Sequence, residues 1–271
     1  MKRSALAILL LMWRLALWCQ SPDFLPTPVH IAGISAPVTD RWSAFGNPAS
    51  LVQQTRWQFA VQYENRYLLK QLNSQTAQAA FCNKYLNVGI CYTHFGYKQY
   101  GEMVAGVCFA HDFGGKFTLG LQADYYAAYM GDEERYRGTV LPQIGFTVAA
   151  GGKVTLGFHT FNPFMQHIKT RAGAKKQLPS IYAVGIDYRF YDGFSWLTEV
   201  QKDLRGDWRV ATGVEWQAVD MLRVKLGMHA SRYFVGCIAV GMKFNGFRFD
   251  INSEIHPILG VCLMGNLSYE F

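Results

Sequence analysis

The last eleven residues of the chain, 261–271, alternate between apolar and polar side chains. One set of alternate positions holds Val261, Leu263, Leu267, Tyr269 and Phe271, and the other holds Cys262, Asn266, Ser268 and Glu270. Because successive side chains of a β-strand point to opposite faces, this pattern predicts a strand with one apolar and one polar face.

The same two-residue period recurs upstream and predicts fourteen strands joined by alternating tight turns and more varied loops. The predicted strands are 57–66, 75–83, 86–96, 102–113, 116–130, 139–150, 153–161, 180–190, 194–203, 208–217, 222–231, 234–244, 247–255 and 259–271. Several tight turns carry the glycine-bearing pairs that hairpins favour, such as Gly114-Gly115 and Asn245-Gly246. An even number of antiparallel strands is typical of single-chain bacterial membrane barrels.

The polarity of the two faces indicates where each one points. The apolar rows include Trp57, Phe59, Val61, Tyr63, Leu119, Val184, Val210, Leu226 and Met228, with aromatic residues toward the strand ends. The polar rows contain glycine and charges of both signs, and their charged members are Glu64, Asp124, Asp187, Arg189, Glu199, Arg209, Glu215, Arg223, Lys225, Arg248, Asp250 and Glu254. This split predicts an all-β fold, a transmembrane antiparallel barrel with a lipid-facing apolar surface and an enclosed polar lumen. A soluble barrel would have the apolar rows packed in its centre instead.

Two interpretations of the charged lumen band remain open at this stage. Its members either neutralise one another and bind a plug, since an unpaired buried charge is costly, or they form a polar path for a solute.

Composition agrees with a barrel and excludes other classes. Charged residues are 17% of the chain, below the roughly 25% of soluble domains, and glycine is abundant at 26 residues. After the N-terminal segment, no apolar run approaches the ~18 residues of a membrane-spanning helix. The formal charge of +7 is scattered over strands and loops with no basic helix or base-stacking motif, so no nucleic-acid partner is expected.

The predicted barrel occupies residues 56–271, and two segments precede it. Lys2 and Arg3 followed by the apolar run 5–11 predict a signal peptide over residues 1–20, with cleavage near Cys19 or Gln20. Residues 21–55 are interrupted by prolines that prevent a regular helix or ladder.

No pattern in the sequence indicates catalysis, a metal or a cofactor. There is no serine elbow and no His pair at metal-binding spacing, so the protein is predicted not to be an enzyme. The five cysteines after the signal peptide have neither metal nor redox spacing; Cys91 and Cys108 either form a disulfide or are small lumen filler. The longest loop, 162–179, carries Lys169, Arg171, Lys175 and Lys176, which either contact lipopolysaccharide phosphates or another anion or are simply solvated.

Two short motifs resemble a known group of barrels. Asn47-Pro48-Ala49-Ser50-Leu51 is similar to the Asn-Pro-Ala-Gly-Leu signature of FadL-like and PorV/PorQ-like outer-membrane barrels, with Ser50 in place of glycine. The terminal Phe271 resembles the assembly signal that closes such barrels. The resemblance implies that residues 21–55 fold into the barrel as a hatch. Its gate residues would be Trp42, Phe45, Asn47, Pro48 and Ala49.

The resemblance implies two different roles. FadL-like members pass small hydrophobic compounds across the outer membrane, whereas PorV/PorQ-like members are accessory barrels of type IX protein secretion that bind exported proteins. A structural barrel without transport is a further form of the second role. Either role implies the outer membrane of a Gram-negative bacterium, contact with membrane lipid and lipopolysaccharide, and the barrel-assembly machinery as a partner. Because outer-membrane barrels have short periplasmic turns and longer outer loops, the alternation of tight turns and loops predicts that both termini are periplasmic.

Overall fold

A closed cylinder of antiparallel strands forms the body of the protein. The structure is a computed structural model, and it describes residues 25–52, 56–85, 87–131, 137–169 and 175–271. The predicted signal peptide, residues 1–20, lies outside the described residues, and so does Arg171. All fourteen predicted strands are present, so the fold prediction is confirmed.

The strands of the cylinder differ from the predicted ranges only at their ends. They are β1 (Trp57–Asn65), β2 (Asn73–Cys82), β3 (Asn87–Tyr97), β4 (Tyr100–Phe113), β5 (Phe117–Met130), β6 (Arg137–Ala150), β7 (Val154–Phe161), β10 (Ile181–Tyr191), β11 (Phe194–Asp203), β12 (Trp208–Val219), β13 (Leu222–Ala230), β14 (Phe234–Phe244), β15 (Phe247–His256) and β16 (Gly260–Glu270). Two further strands, β8 (His167–Lys169) and β9 (Lys175–Gln177), form a separate hairpin in the longest loop.

The first and last strands close the cylinder. β1 pairs with β16 in a continuous antiparallel register that sets Phe59 opposite Tyr269 and Val61 opposite Leu267. The backbone N–H of Phe271 donates to the carbonyl of Trp57 at 3.0 Å, and its ring lies 4.5 Å from that of Tyr269. Closure gives every strand of the cylinder two neighbours, so that its backbone N–H and C=O groups are hydrogen-bonded within the sheet. Strands that cross the hydrocarbon of a membrane need such pairing because no water is present to bond these groups.

The two faces point as the alternation predicts. The apolar rows cover the outside of the cylinder, where Val61 is 54% exposed and Val184 is 58% exposed. Asp124 and Lys225 are fully buried on the inside. The alternative of a soluble barrel with an apolar centre is therefore wrong.

The ends of the cylinder differ in their connections. The tight turns after β2, β4, β6, β10, β12 and β14 lie at one end, here the short-turn end, together with the start of β1 and the end of β16. The remaining connections, including 162–180, lie at the other end, here the long-loop end. Within the described residues, no helix is long and apolar enough to cross a membrane.

The described part of the predicted hatch, residues 25–52, is mostly buried inside the cylinder. It contains two short 3-10 turns, Ile31–Gly33 and Pro48–Leu51. Asn47 caps the second turn by accepting a hydrogen bond from the Ala49 backbone N–H at 3.0 Å, and Pro48 suits its first position because that residue needs no N–H partner.

Candidate functional site: the plugged lumen

The hatch and the wall come closest together at glycines of the wall. A Cβ added at Gly157 of β7 would collide with the backbone carbonyl group of Ala36. A Cβ at Gly145 of β6 would collide with the Asn47 side chain. Glycine within a strand commonly marks such a close approach of another segment. These inward-facing glycines therefore provide the space that the hatch occupies.

The five predicted gate residues are all buried in the lumen: Trp42, Phe45, Asn47, Pro48 and Ala49. Asn47 makes the most connections among them. Its amide nitrogen donates to the carbonyl of Ala36 at 2.6 Å and to that of Phe146 on β6 at 3.4 Å. The side chain thus ties two parts of the hatch to each other and to the wall.

A chain of buried charges anchors the middle of the hatch. Arg41 Nη1 lies 2.5 Å from Asp250 Oδ2 on β15, and Lys225 Nζ on β13 lies 3.2 Å from Asp250 Oδ1. Lys225 is also 3.8 Å from Glu215 Oε1 on β12. Burial alone would lower the pKa of the Arg41 guanidinium, but the Asp250 carboxylate raises it, so Arg41 stays charged.

Two wall carboxylates accept hydrogen bonds from the hatch itself. Glu199 Oε2 on β11 accepts from the backbone N–H groups of Ser35, at 2.9 Å, and Ala36, at 2.7 Å. Glu64 on β1 accepts from the backbone N–H of Thr27 at 2.8 Å and from its hydroxyl at 2.9 Å. Hydrogen bonds to a charged partner are stronger than neutral ones, so both ends of the first half of the hatch are held.

The remaining members of the charged band also face inward. Arg223 Nη1 and Arg248 Nη1 lie 3.0 and 3.7 Å from Asp40 Oδ2 of the hatch. Arg209 donates a hydrogen bond to the carbonyl of Ala32, and Asp124 accepts hydrogen bonds from Gln122 and Gln143. Glu254 lies 3.5 Å from His229. Asp187 and Arg189 line a cavity at the short-turn end.

Cavities lie on both sides of the hatch. One of 250 Å³ opens toward the long-loop end and has mixed walls, with Leu25, Phe45 and Phe161 on the apolar side and Glu64 and His229 on the polar side. At the short-turn end, cavities of 230 and 380 Å³ share Gln217 and Arg223 in their linings and are rich in charged side chains. The hatch separates these spaces.

The hairpin of β8 and β9 contacts the inside of the wall. Lys176 Nζ lies 2.7 Å from Glu102 Oε1 on β4, 2.8 Å from the Tyr100 hydroxyl and 3.1 Å from the Tyr126 hydroxyl. The expectation of a lysine that is solvated or faces lipopolysaccharide is therefore wrong for Lys176, because its partners are acceptors buried in the barrel. The other lysines of the hairpin, Lys169 and Lys175, are exposed.

Sequence reasoning missed several side chains of this site. Glu102 has the same parity as Cys108 on β4, so the alternation could have placed it in the lumen. Asp40 and Arg41 lie in a segment without periodicity. Their signal is only that Arg41 is the sole Lys or Arg between residues 25 and 52.

Three cysteines of the wall lie directly under the hatch. The sulfur of Cys82 is 3.0 Å from the carbonyl oxygen of Leu51, that of Cys91 is 3.9 Å from Ala44, and that of Cys108 is 3.7 Å from Pro48; each distance is measured to the backbone carbonyl oxygen. Of the two alternatives for Cys91 and Cys108, the disulfide is absent: Cys91 lies opposite Gly106 across the strands, and both cysteines are free, buried thiols.

Comparisons with known proteins address the fold. No protein-family model matches the sequence, and no curated protein matches it. Among solved structures, the CymD monoaromatic hydrocarbon channel aligns with a TM-score of 0.67 at 10% identity, covering 93% of this chain and 99% of that one. The chain has the fold of FadL-type outer-membrane barrels.

Two further structures agree with this assignment. A Pseudomonas aeruginosa FadL homologue aligns with a TM-score of 0.65 at 11% identity, covering 92% of this chain and 99% of that one. The Pseudomonas putida toluene transporter TodX aligns with a TM-score of 0.65 at 10% identity, covering 89% and 96%. The structural alignments show the FadL-type fold. At identities of 10–11% they do not show what the barrel transports.

Proposed function

We propose that this FadL-type barrel lies in the outer membrane of a Gram-negative bacterium and passes small hydrophobic compounds, with the hatch as gate. The observation that carries the proposal is a plug held by individual polar contacts between cavities at both ends of the lumen. In this proposal the short-turn end and both termini are periplasmic, and cargo enters at the long-loop end.

The size and lining of the cavity at the long-loop end support a small transported compound. A space of 250 Å³ bordered by Phe45 and Phe161 fits a compound of about one aromatic ring, near the lower limit of the usual ligand pocket. Its polar side, with Glu64 and His229, favours a ring that carries one hydrogen-bonding group. The named neighbours are channels for monoaromatic hydrocarbons and toluene, which is the same size class.

Two further proposals about surface residues follow from an outer-membrane location. Lys169 and Lys175 are exposed, and in this proposal they contact the phosphates of lipopolysaccharide. Phe271, at the β1–β16 closure, is the residue that the assembly machinery would read.

A staple between hatch and wall tests the gate. Ala44→Cys would bring a second thiol into the same buried cluster as the native Cys91, whose sulfur lies 3.9 Å from the Ala44 carbonyl oxygen. In a background with the other cysteines replaced by serine, oxidation should join them, and a gel shift reversed by reductant would verify the bond. A short thiol cross-linker provides a second way to close the same pair.

The readout is uptake of a monoaromatic hydrocarbon across a membrane containing lipopolysaccharide. We expect at least a tenfold lower rate with the staple closed and recovery on reduction. The same background with Ala44 retained is the control, and its uptake should not respond to oxidant. Equal uptake with the staple open and closed would reject transport through a moving hatch.

A second candidate is an accessory barrel of type IX secretion or a structural barrel without transport. The observation that favours it is the lumen itself, where buried ion pairs fill the space that a hydrophobic path would need. Retention of exported proteins by the intact barrel, together with no uptake above protein-free vesicles, would support this candidate.

A further inference from the structure

Three side chains with metal-binding donor atoms meet on the inner wall at the long-loop end. They are His229 on β13, Cys237 on β14 and Glu254 on β15. Cys237 pairs directly across the strands with Glu254, and His229 lies two positions along from the residue opposite Cys237. One ring nitrogen, the thiol sulfur and one carboxylate oxygen all lie within 4.8 Å of one another.

This set of donors matches borderline-soft divalent cations. Zn²⁺ binds imidazole nitrogen, thiolate sulfur and carboxylate oxygen at about 2.0–2.3 Å, and tetrahedral ligation then places the donor atoms about 3.6 Å apart. The three side chains need to close by about 1 Å. A thiolate and a carboxylate also neutralise the two charges of the cation, which suits a partly buried position.

An ordinary ion pair does not account for the whole cluster. His229 Nε2 and Glu254 Oε2, 3.5 Å apart, could form a pair by themselves. The nearly buried Cys237 thiol is not needed for that pair, yet it lies beside both groups. Cys262, directly opposite Glu254 on β16, adds a second thiol to the same row.

The cluster is accessible and its surroundings permit a cation. His229, Glu254 and Cys262 line the 250 Å³ cavity at the long-loop end, which leaves room for a fourth ligand. Arg66 and Arg209 line the same cavity and would repel a cation. Arg66 is paired with Glu64 at 2.9 Å, and Arg209 donates to the carbonyl of Ala32 and lies 3.8 Å from Glu199. We propose that His229, Cys237 and Glu254 bind one divalent cation of the Zn²⁺ class, with the fourth position facing the cavity.

Cobalt is a suitable probe because its spectrum reports the ligands. The full chain, folded in detergent with reduced thiols, would be titrated with Co²⁺ and then with Zn²⁺ in competition. We expect a thiolate-to-cobalt charge-transfer band that saturates at one ion per chain and disappears as Zn²⁺ replaces it. In a background with Cys262 replaced by serine, Cys237→Ser should abolish the band, and His229→Gln and Glu254→Gln should each weaken binding at least tenfold.

Matched variants separate this site from adventitious binding. Cys108→Ser removes another buried lumen thiol, and His111→Gln removes an exposed imidazole near the short-turn end of β4, where its ring contacts Phe113. Both should bind Co²⁺ as the wild type does. A wild type without the charge-transfer band, or equal binding by Cys237→Ser and Cys108→Ser, would overturn the proposal.

A measurement on the wild-type protein tests the proposal even if the variants fail to fold. Zn²⁺ should slow maleimide labelling of Cys237 at least tenfold, as located by peptide mass spectrometry, and leave Cys108 labelling unchanged. Equal labelling of Cys237 with and without Zn²⁺ would also overturn the proposal.

Discussion

The strongest test of how the hatch is anchored is removal of single charges from the ion-pair network of Arg41, Asp250 and Lys225. Asp250→Asn leaves two cations without their shared carboxylate, and Arg41 and Lys225 are both almost fully buried. Breaking a buried pair by removing one partner costs about 3–5 kcal/mol because the remaining charge is uncompensated. We therefore expect the free energy of unfolding to fall by about that amount.

Removal of the arginine instead of the aspartate should lower the free energy of unfolding by less. Arg41→Gln leaves Asp250 paired with Lys225 at 3.2 Å, so no carboxylate is left alone. The loss is then close to that of one charge-assisted hydrogen bond, about 1.5–3 kcal/mol. Arg232→Gln is the control, because this arginine is 37% exposed and pairs with Asp207, which is 32% exposed, and such a surface pair is worth about 0–1 kcal/mol.

Urea unfolding from phospholipid vesicles, followed by tryptophan fluorescence, measures these differences. The expected order of destabilisation is Asp250→Asn, then Arg41→Gln, then Arg232→Gln. An Arg41→Gln variant that loses more stability than Asp250→Asn would refute the reasoning, since it would mean that the arginine and not the shared carboxylate holds the network together.

Three further outcomes follow from other contacts. Gly157→Ala should displace the hatch and speed maleimide labelling of the thiols beneath it, whereas Gly265→Ala, with open space around the added methyl group, should label at the wild-type rate. Leu226→Arg, in the middle of β13 on the outer face, should cost about 2–4 kcal/mol in vesicles; no loss of stability would argue against a lipid-facing position. Lys176→Gln removes the ion pair with Glu102 and should increase proteolysis of the loop hairpin while the barrel stays folded on a heat-shift gel; unchanged cleavage would show that the pair does not hold the hairpin.

The wall could be predicted from sequence because its signal is local. In β13, alternate residues from Leu222 to Ala230 already separate the two faces, and the Asn245-Gly246 turn, with positive φ at both residues, joins β14 to β15 in the expected way. Such patterns need only the neighbouring few residues.

The contents of the lumen could not be predicted in the same way. Arg41 and Asp250 are 209 positions apart, and the hatch has no period that would indicate which side chains face which strand. The lysine-rich loop has the composition of a solvated segment, yet Lys176 reaches an acid on a distant strand. Parity places His229, Cys237 and Glu254 inside the barrel, but their common height depends on the stagger of three strands.

The bare glycine positions along β6 and β7 have a consequence for any truncated form of the protein. There the backbone of the plug takes the place that side chains fill in other barrels. A version lacking residues 25–52 would leave the backbone of these wall glycines uncovered along the lumen and would open a path that the native protein does not have. Leakage through such a version would measure that artificial opening, so the native route is better studied with the plug retained and its attachments changed one at a time.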